Sequence, residues 1–307
     1  MIEPSFVKAV PPKPPCLTIS SCVRSNGANM ITGQTAAESE MLEIRCLLNY
    51  IFETSGYDLR NYAYASLRQR LKAAAFSARA GSIAEFHQII RGDGKALQQL
   101  LSSIATGVTG LFRDPDFYAA VRKKVVPILR TYPSIDIWHA GCATGEEVYS
   151  MAILLKEEGL YDKCRLYATD MNESMLQKAH SGVFSSSLLQ HYNDNYQKSG
   201  GKETLSLYFR RREQECCFSE SLKKRIVFGQ HNLVTDSSFK EFQLIACRNV
   251  MIYFNKQLQE RVFRLLHESL CSFGVLGLGR GETLKFSKIE EFYEPLDARQ
   301  KLYRRLT

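Results

Sequence analysis

The chain has 307 residues, which suggests about two domains at the usual ~100–200 residues each. Its 45% hydrophobic content supplies packed cores, yet no run approaches the ~20 apolar residues of a bilayer helix, and no charged start followed by an apolar block marks a secretory signal. The formal charge of +8 favours an acidic partner, and without interleaved aromatics for base stacking it does not favour nucleic acid.

Residues 1–40 read as a disordered tail. Val10-Pro11-Pro12-Lys13-Pro14-Pro15 favours an extended proline helix, and the Ser/Asn/Gly/Thr mixture after it has no apolar period. From Met41, apolar positions 41, 44, 48, 51 and 52 share one helix face, and further helices are predicted over Leu67–Ala80, Ile83–Ile90 and Lys95–Ile104. On the first of these, Arg68, Lys72 and Arg79 fall within about 40° of one another, a basic stripe beside Leu67, Leu71, Ala74 and Ala78. Asp114-Pro115 marks a break before a helix predicted over Asp116–Leu129. The division expected is a helical domain and linker over 41–113 and an α/β domain over 114–307.

Next comes Trp138-His139-Ala140-Gly141-Cys142-Ala143-Thr144-Gly145-Glu146-Glu147, a buried strand, a small-residue loop and a helix start. Gly141 and Gly145 are spaced G-x-x-x-G, not the G-x-G-x-x-G that brings a backbone against a pyrophosphate, so the loop suits a nucleoside without phosphates, S-adenosylmethionine being the common one. Thr144 and Glu147 also satisfy a capping box. A second strand, Arg165–Asp170, ends in an acid 25 residues beyond Gly145, roughly where doubly wound folds place the ribose carboxylate. Asp170 could otherwise cap the helix that follows. Strand Arg225–Phe228 leads to Gln230-His231-Asn232-Leu233, whose amides could read an adenine edge. The nearly continuous apolar run Phe242–Cys247 reads as a central parallel strand delivering Arg248-Asn249 and Tyr253 to the carboxyl edge of the sheet. Nine cysteines without C-x-x-C spacing read as reduced cytoplasmic thiols, and neither they nor the six histidines form a metal-ligand cluster.

Gly141–Glu147, Ala168-Thr169-Asp170, Cys247–Phe254 and the upstream Thr106–Asp114 together resemble the CheR family of chemotaxis-receptor methyltransferases, in the family's order. The resemblance runs from about Met41 onward and weakens between Ser185 and Lys224. It implies an α/β fold: a class I (Rossmann-like) S-adenosylmethionine methyltransferase sheet with a small all-α N-terminal domain and a small antiparallel β-subdomain insertion. The implied activity is protein-glutamate O-methylation of the chemoreceptor cytoplasmic helical bundle, by a monomer in the cytoplasm that inserts into no membrane and binds no nucleic acid. Carried over by position, it puts Thr109, Arg113, Glu147, Asp170, Asn232, Leu233, Arg248 and Asn249 around the cofactor, and Arg113 and Tyr253 beside the transferred methyl. The stripe Arg68, Lys72 and Arg79 would meet the receptor, and the implied β-subdomain insertion, over 185–224, is where some family members grip a receptor tail. Three departures stand out: Gly107 replaces a common Asn, Val148 a usual Pro, and Gly279-Arg280-Gly281-Glu282 stands where the family has G-H-S-E. They keep two other readings open, a catalytically degenerate signalling module and a methyltransferase for nucleic acid or a small molecule.

Overall fold

The computed structural model describes residues 36–55, 57–105 and 109–307. The proline-rich stretch and Gly107 lie outside these residues.

Among the described residues, four helices form the first domain: α1 (Ala36–Ser55), α2 (Tyr64–Ser77), α3 (Ile83–Gly92) and α4 (Gly94–Ala105). They close on a core that includes Ile44, Leu47, Ile51, Leu67, Leu71, Phe86, Ile90 and Leu100. Helix α1 starts at Ala36, inside the stretch expected to be tail. Helix α2 ends at Ser77, and Arg79 sits beyond it with φ 58°. The predicted stripe therefore loses its third member, because a left-handed residue leaves the helical rotation on which the 40° spacing depends.

The segment Pro115–Arg130 is helical throughout but not uniformly α: residues Val121–Val125 form a π turn between Pro115–Ala120 and Val126–Arg130. Pro127 accounts for it, since its ring cannot donate to the preceding turn and forces a local rewinding.

The second domain is built on seven strands in the order β6-β2-β1-β7-β8-β10-β9. The first five in that order, β6 (Ile226–Gln230), β2 (Cys164–Asp170), β1 (Ile135–Ala140), β7 (Phe242–Cys247) and β8 (Leu270–Leu278), run parallel. An antiparallel hairpin of β9 (Tyr293–Asp297) and β10 (Leu302–Arg305) closes the edge. Apolar side chains cover both faces, Leu154 and Leu166 in one cluster and Trp138, Phe242 and Leu266 in the other. Successive strands add to one side of β1 as far as β6 and then to the other from β7, so the topological switch point lies between β1 and β7.

A separate antiparallel sheet, β3 (Val183–Ser185), β5 (Glu215–Phe218) and β4 (Phe209–Arg212), fills the insertion. Its first strand precedes the expected boundary, and a ten-residue helix, Leu189–Lys198, divides it, a feature unseen in the sequence pattern.

The helical domain sits against the sheet's carboxyl edge. The Ala63 amide donates to the Tyr253 carbonyl at 2.8 Å, the Asn255 amide to the Asn61 carbonyl at 3.0 Å, and the Tyr57 hydroxyl to the Met171 carbonyl at 2.9 Å. Tyr62 meets Phe254 edge to face at 5.2 Å. Among the described residues no helix is long and apolar enough to cross a membrane.

Candidate active site

The loops leaving β1 and β7 diverge at the switch point and open a cleft of about 950 Å³, continuous with solvent. Thr109, Arg113, Glu147, Asp170, Asn232, Leu233, Arg248, Asn249 and Tyr253 all line it, so residues from five separate stretches of sequence meet in one place. Tyr62 and Ile104 of the helical domain complete the wall.

The floor is the 141–145 loop. The Gly141 and Cys142 amides donate to the Thr169 carbonyl at 2.8 and 2.9 Å, stitching the loop to β2. Gly141 has φ 77°, and a Cβ there would stand 2.7 Å from Val250 Cγ2, so only glycine lets the two loops approach this closely. Asp170 accepts from the Ala143 amide at 2.9 Å and from the Asn172 amide at 2.9 Å. Burial raises its carboxyl above the usual range, opposed by the amides of Asn172, Ala143 and Met171. The following helix is capped by Asn172, which accepts from the Ser174 amide, so Asp170 is not its cap.

The capping box does not form either. The helix Glu146–Glu157 starts behind Gly145 (φ 92°) with no side-chain cap, and Thr144 bonds Glu146. Glu147 turns inward instead: Oε1 lies 2.9 Å from His139 Nδ1 and Oε2 accepts from Arg248 Nη1 at 3.1 Å. Burial works to raise its carboxyl, but His139 and Arg248 outweigh that and lower it. Arg248, only 2% exposed in its side chain, also binds Asp114 at 2.8 Å and the Arg113 carbonyl at 3.1 Å, and lies 4.0 Å over the Phe117 ring.

In the turn after β6, Asn232 accepts on Oδ1 from the Val234 amide at 2.9 Å beside buried Leu233. The Gln230 side-chain amide donates to the Met171 carbonyl at 3.0 Å. At the other end Tyr253 is half-buried, with Arg70 of α2 stacked 4.5 Å above its ring.

One residue of this assembly carried no sequence signal: His139 reads as one more position of an apolar strand. Glu282, which keeps the final Glu of the family's G-H-S-E, is the bracket for the 249–251 turn: its carboxylate accepts from Gly279, Asn249 and Met251 amides at 2.5, 3.0 and 2.7 Å. That turn needs holding, since Asn249 has φ 60°. The altered Arg280 and Gly281 are exposed and do not line the cleft, which removes a support for the degenerate reading.

The cleft offers carboxylates, an apolar flank and no phosphate cradle, which fits a nucleoside carrying an amino acid tail. The family comparison agrees: the model described as "CheR methyltransferase, SAM binding domain" matches residues 107–301, and "CheR methyltransferase, all-alpha domain" matches 42–105. The chain belongs to the CheR family. Its cofactor is S-adenosylmethionine, and it is a methyltransferase. Cher3 of Pseudomonas putida, named as a methyltransferase, is 42% identical over 88% of this chain and 99% of its own length. Two proteins named chemotaxis protein methyltransferase are more distant relatives. That of Listeria innocua is 28% identical over 75% of this chain and 85% of its own, and that of Salmonella typhimurium is 26% identical over 86% and 94%. Among the described residues no three His, Cys, Asp or Glu side chains group to hold a metal ion.

Proposed function

We propose that this CheR-family chain methylates glutamate side-chain carboxylates of chemoreceptor cytoplasmic helical bundles, in the cytoplasm, yielding glutamate methyl esters and S-adenosylhomocysteine. The observation that carries the reading is that Arg113 and Tyr253 border the same cleft as Glu147 and Asp170, so a group engaged by the first pair lies beside the cofactor site. The names of the Listeria and Salmonella relatives support the chemotaxis role.

The chemistry asks little of the protein. S-adenosylmethionine supplies a methyl on a cationic sulfur. A glutamate with an unperturbed pKa near ~4.3 is already an anion at neutral pH, so no base is needed. A carbon–oxygen bond forms as the carbon–sulfur bond breaks, charge is dispersed, and no proton moves. The enzyme's task is alignment, which can supply roughly 7–11 kcal/mol. Arg113 carries a planar fork matched to a carboxylate, a geometry a lysine lacks. Asp170 is the ribose ligand in this reading, and Arg68 and Lys72 on α2 face the acidic bundle.

The test is transfer of labelled methyl from S-adenosylmethionine to a purified receptor cytoplasmic fragment. The label should be released by mild base, and Arg113→Ala should keep cofactor binding within about tenfold while losing most transfer. A base-stable product, or label found in RNA, would overturn the assignment.

A further inference from the structure

His139 is 0% exposed on the central strand β1. Its partners in register are Ala168 on one side and Ala246 on the other, both fully buried, and these small neighbours on its face leave the ring its room. An ionised carboxylate only accepts, so the 2.9 Å contact with Glu147 fixes the imidazole proton on Nδ1. The other nitrogen, Nε2, has no hydrogen-bond partner among the described residues. The ring's polar engagement is thus with Glu147, and a buried imidazole half-satisfied in this way is costly unless that one bond matters.

The bond begins a chain. Glu147 passes from His139 to Arg248, and Arg248 to Asp114 and the Arg113 carbonyl, at 3.1, 2.8 and 3.1 Å respectively. One end is anchored on a strand paired on both sides; the other holds the segment that carries Arg113. Tyr118, Cys142 and Cys247 also feel the Glu147 charge, but the hydrogen bonds recorded to its carboxylate come from His139 and Arg248.

We propose that His139 is a positioning residue for cofactor binding: it fixes the Glu147 carboxylate, and through it Arg248, in the orientation the cleft presents. The proposal rests on the reading of this cleft as the cofactor site. Without the imidazole, Glu147 Oε1 loses its donor and is free to rotate toward the water-filled cleft, taking Arg248 with it.

Calorimetric titration of S-adenosylhomocysteine into the full chain tests this, comparing wild type, His139→Met, His139→Asn and Asp170→Ala. Loss of a charge-assisted hydrogen bond predicts that His139→Met weakens binding about tenfold or more. His139→Asn, which keeps a donor, should stay within about threefold of wild type. A merely structural role would not be rescued by asparagine. Should the methionine chain fail to fold, His139→Ala replaces it with the same expectation. Undiminished binding by the donorless variant, or equal loss in both, overturns the role of His139 while the cleft stands on the Asp170→Ala loss. Undiminished binding by Asp170→Ala overturns both.

Discussion

The cleft and the basic face of α2 both carry arginines paired with acids, and they behave as opposites. In the cleft Arg248 is buried between Glu147 and Asp114. On α2, Arg68 and Lys72 share one acid, Glu40, at 2.8 and 3.0 Å, with side chains 43% and 49% exposed. Cations lower the acid in both places, Glu147 against its burial and Glu40 down to about 2, whereas burial drives the cleft acids held only by backbone amides, Asp170 and Glu282, upward. Low dielectric makes each contact in the cleft strong and each loss severe, while water screens the outer set. The inner network therefore fixes a geometry, and the outer one presents an adjustable charge to a partner.

Arg248→Met breaks this contrast most sharply. It strands two carboxylates, and urea denaturation should show a loss of about 3–5 kcal/mol together with loss of S-adenosylhomocysteine binding. Asp170→Ala comes next: the chain should remain folded by circular dichroism while affinity falls roughly a hundredfold, the worth of two hydrogen bonds to a charged acceptor. If affinity survives, the ribose assignment is wrong. The smallest effect belongs to the outer face. Arg68→Ala with Lys72→Ala should leave the melting temperature nearly unchanged and slow receptor methylation several-fold at low salt. The difference should vanish near ~1 M salt, where charges are screened beyond about 3 Å. Because the Glu40 carboxyl is depressed from 4.5 to about 2, whatever this tie contributes is present at neutral pH and fades only as the pH falls through that interval. A loss of methylation that ignored salt would place the two residues in the catalytic geometry and erase the contrast.

Much of this was legible beforehand because it is local. Strand-ending acids, the Gly141 and Gly145 loop and the apolar run at Phe242–Cys247 are patterns within a few residues, and the family order of four motifs tied them together. The failures have two causes, a side chain that found a distant partner and a helix that ends early. Glu147 reads as a cap three residues from Thr144, yet it bonds Arg248 across 101 positions of chain. Arg79 belongs to a stripe only while the helix continues, and the helix stops at Ser77.

By itself the sequence determined the order of elements, the phosphate-free character of the loop and the residues gathered at the sheet edge, because backbone periodicity and small-residue spacing are written locally. Only the tertiary structure decided what those residues touch. The burial of His139, the bracket made by Glu282 and the sharing of Arg248 between two acids arise where strands far apart in sequence lie side by side. In that dry interior a charge must take whichever partner the fold brings within reach.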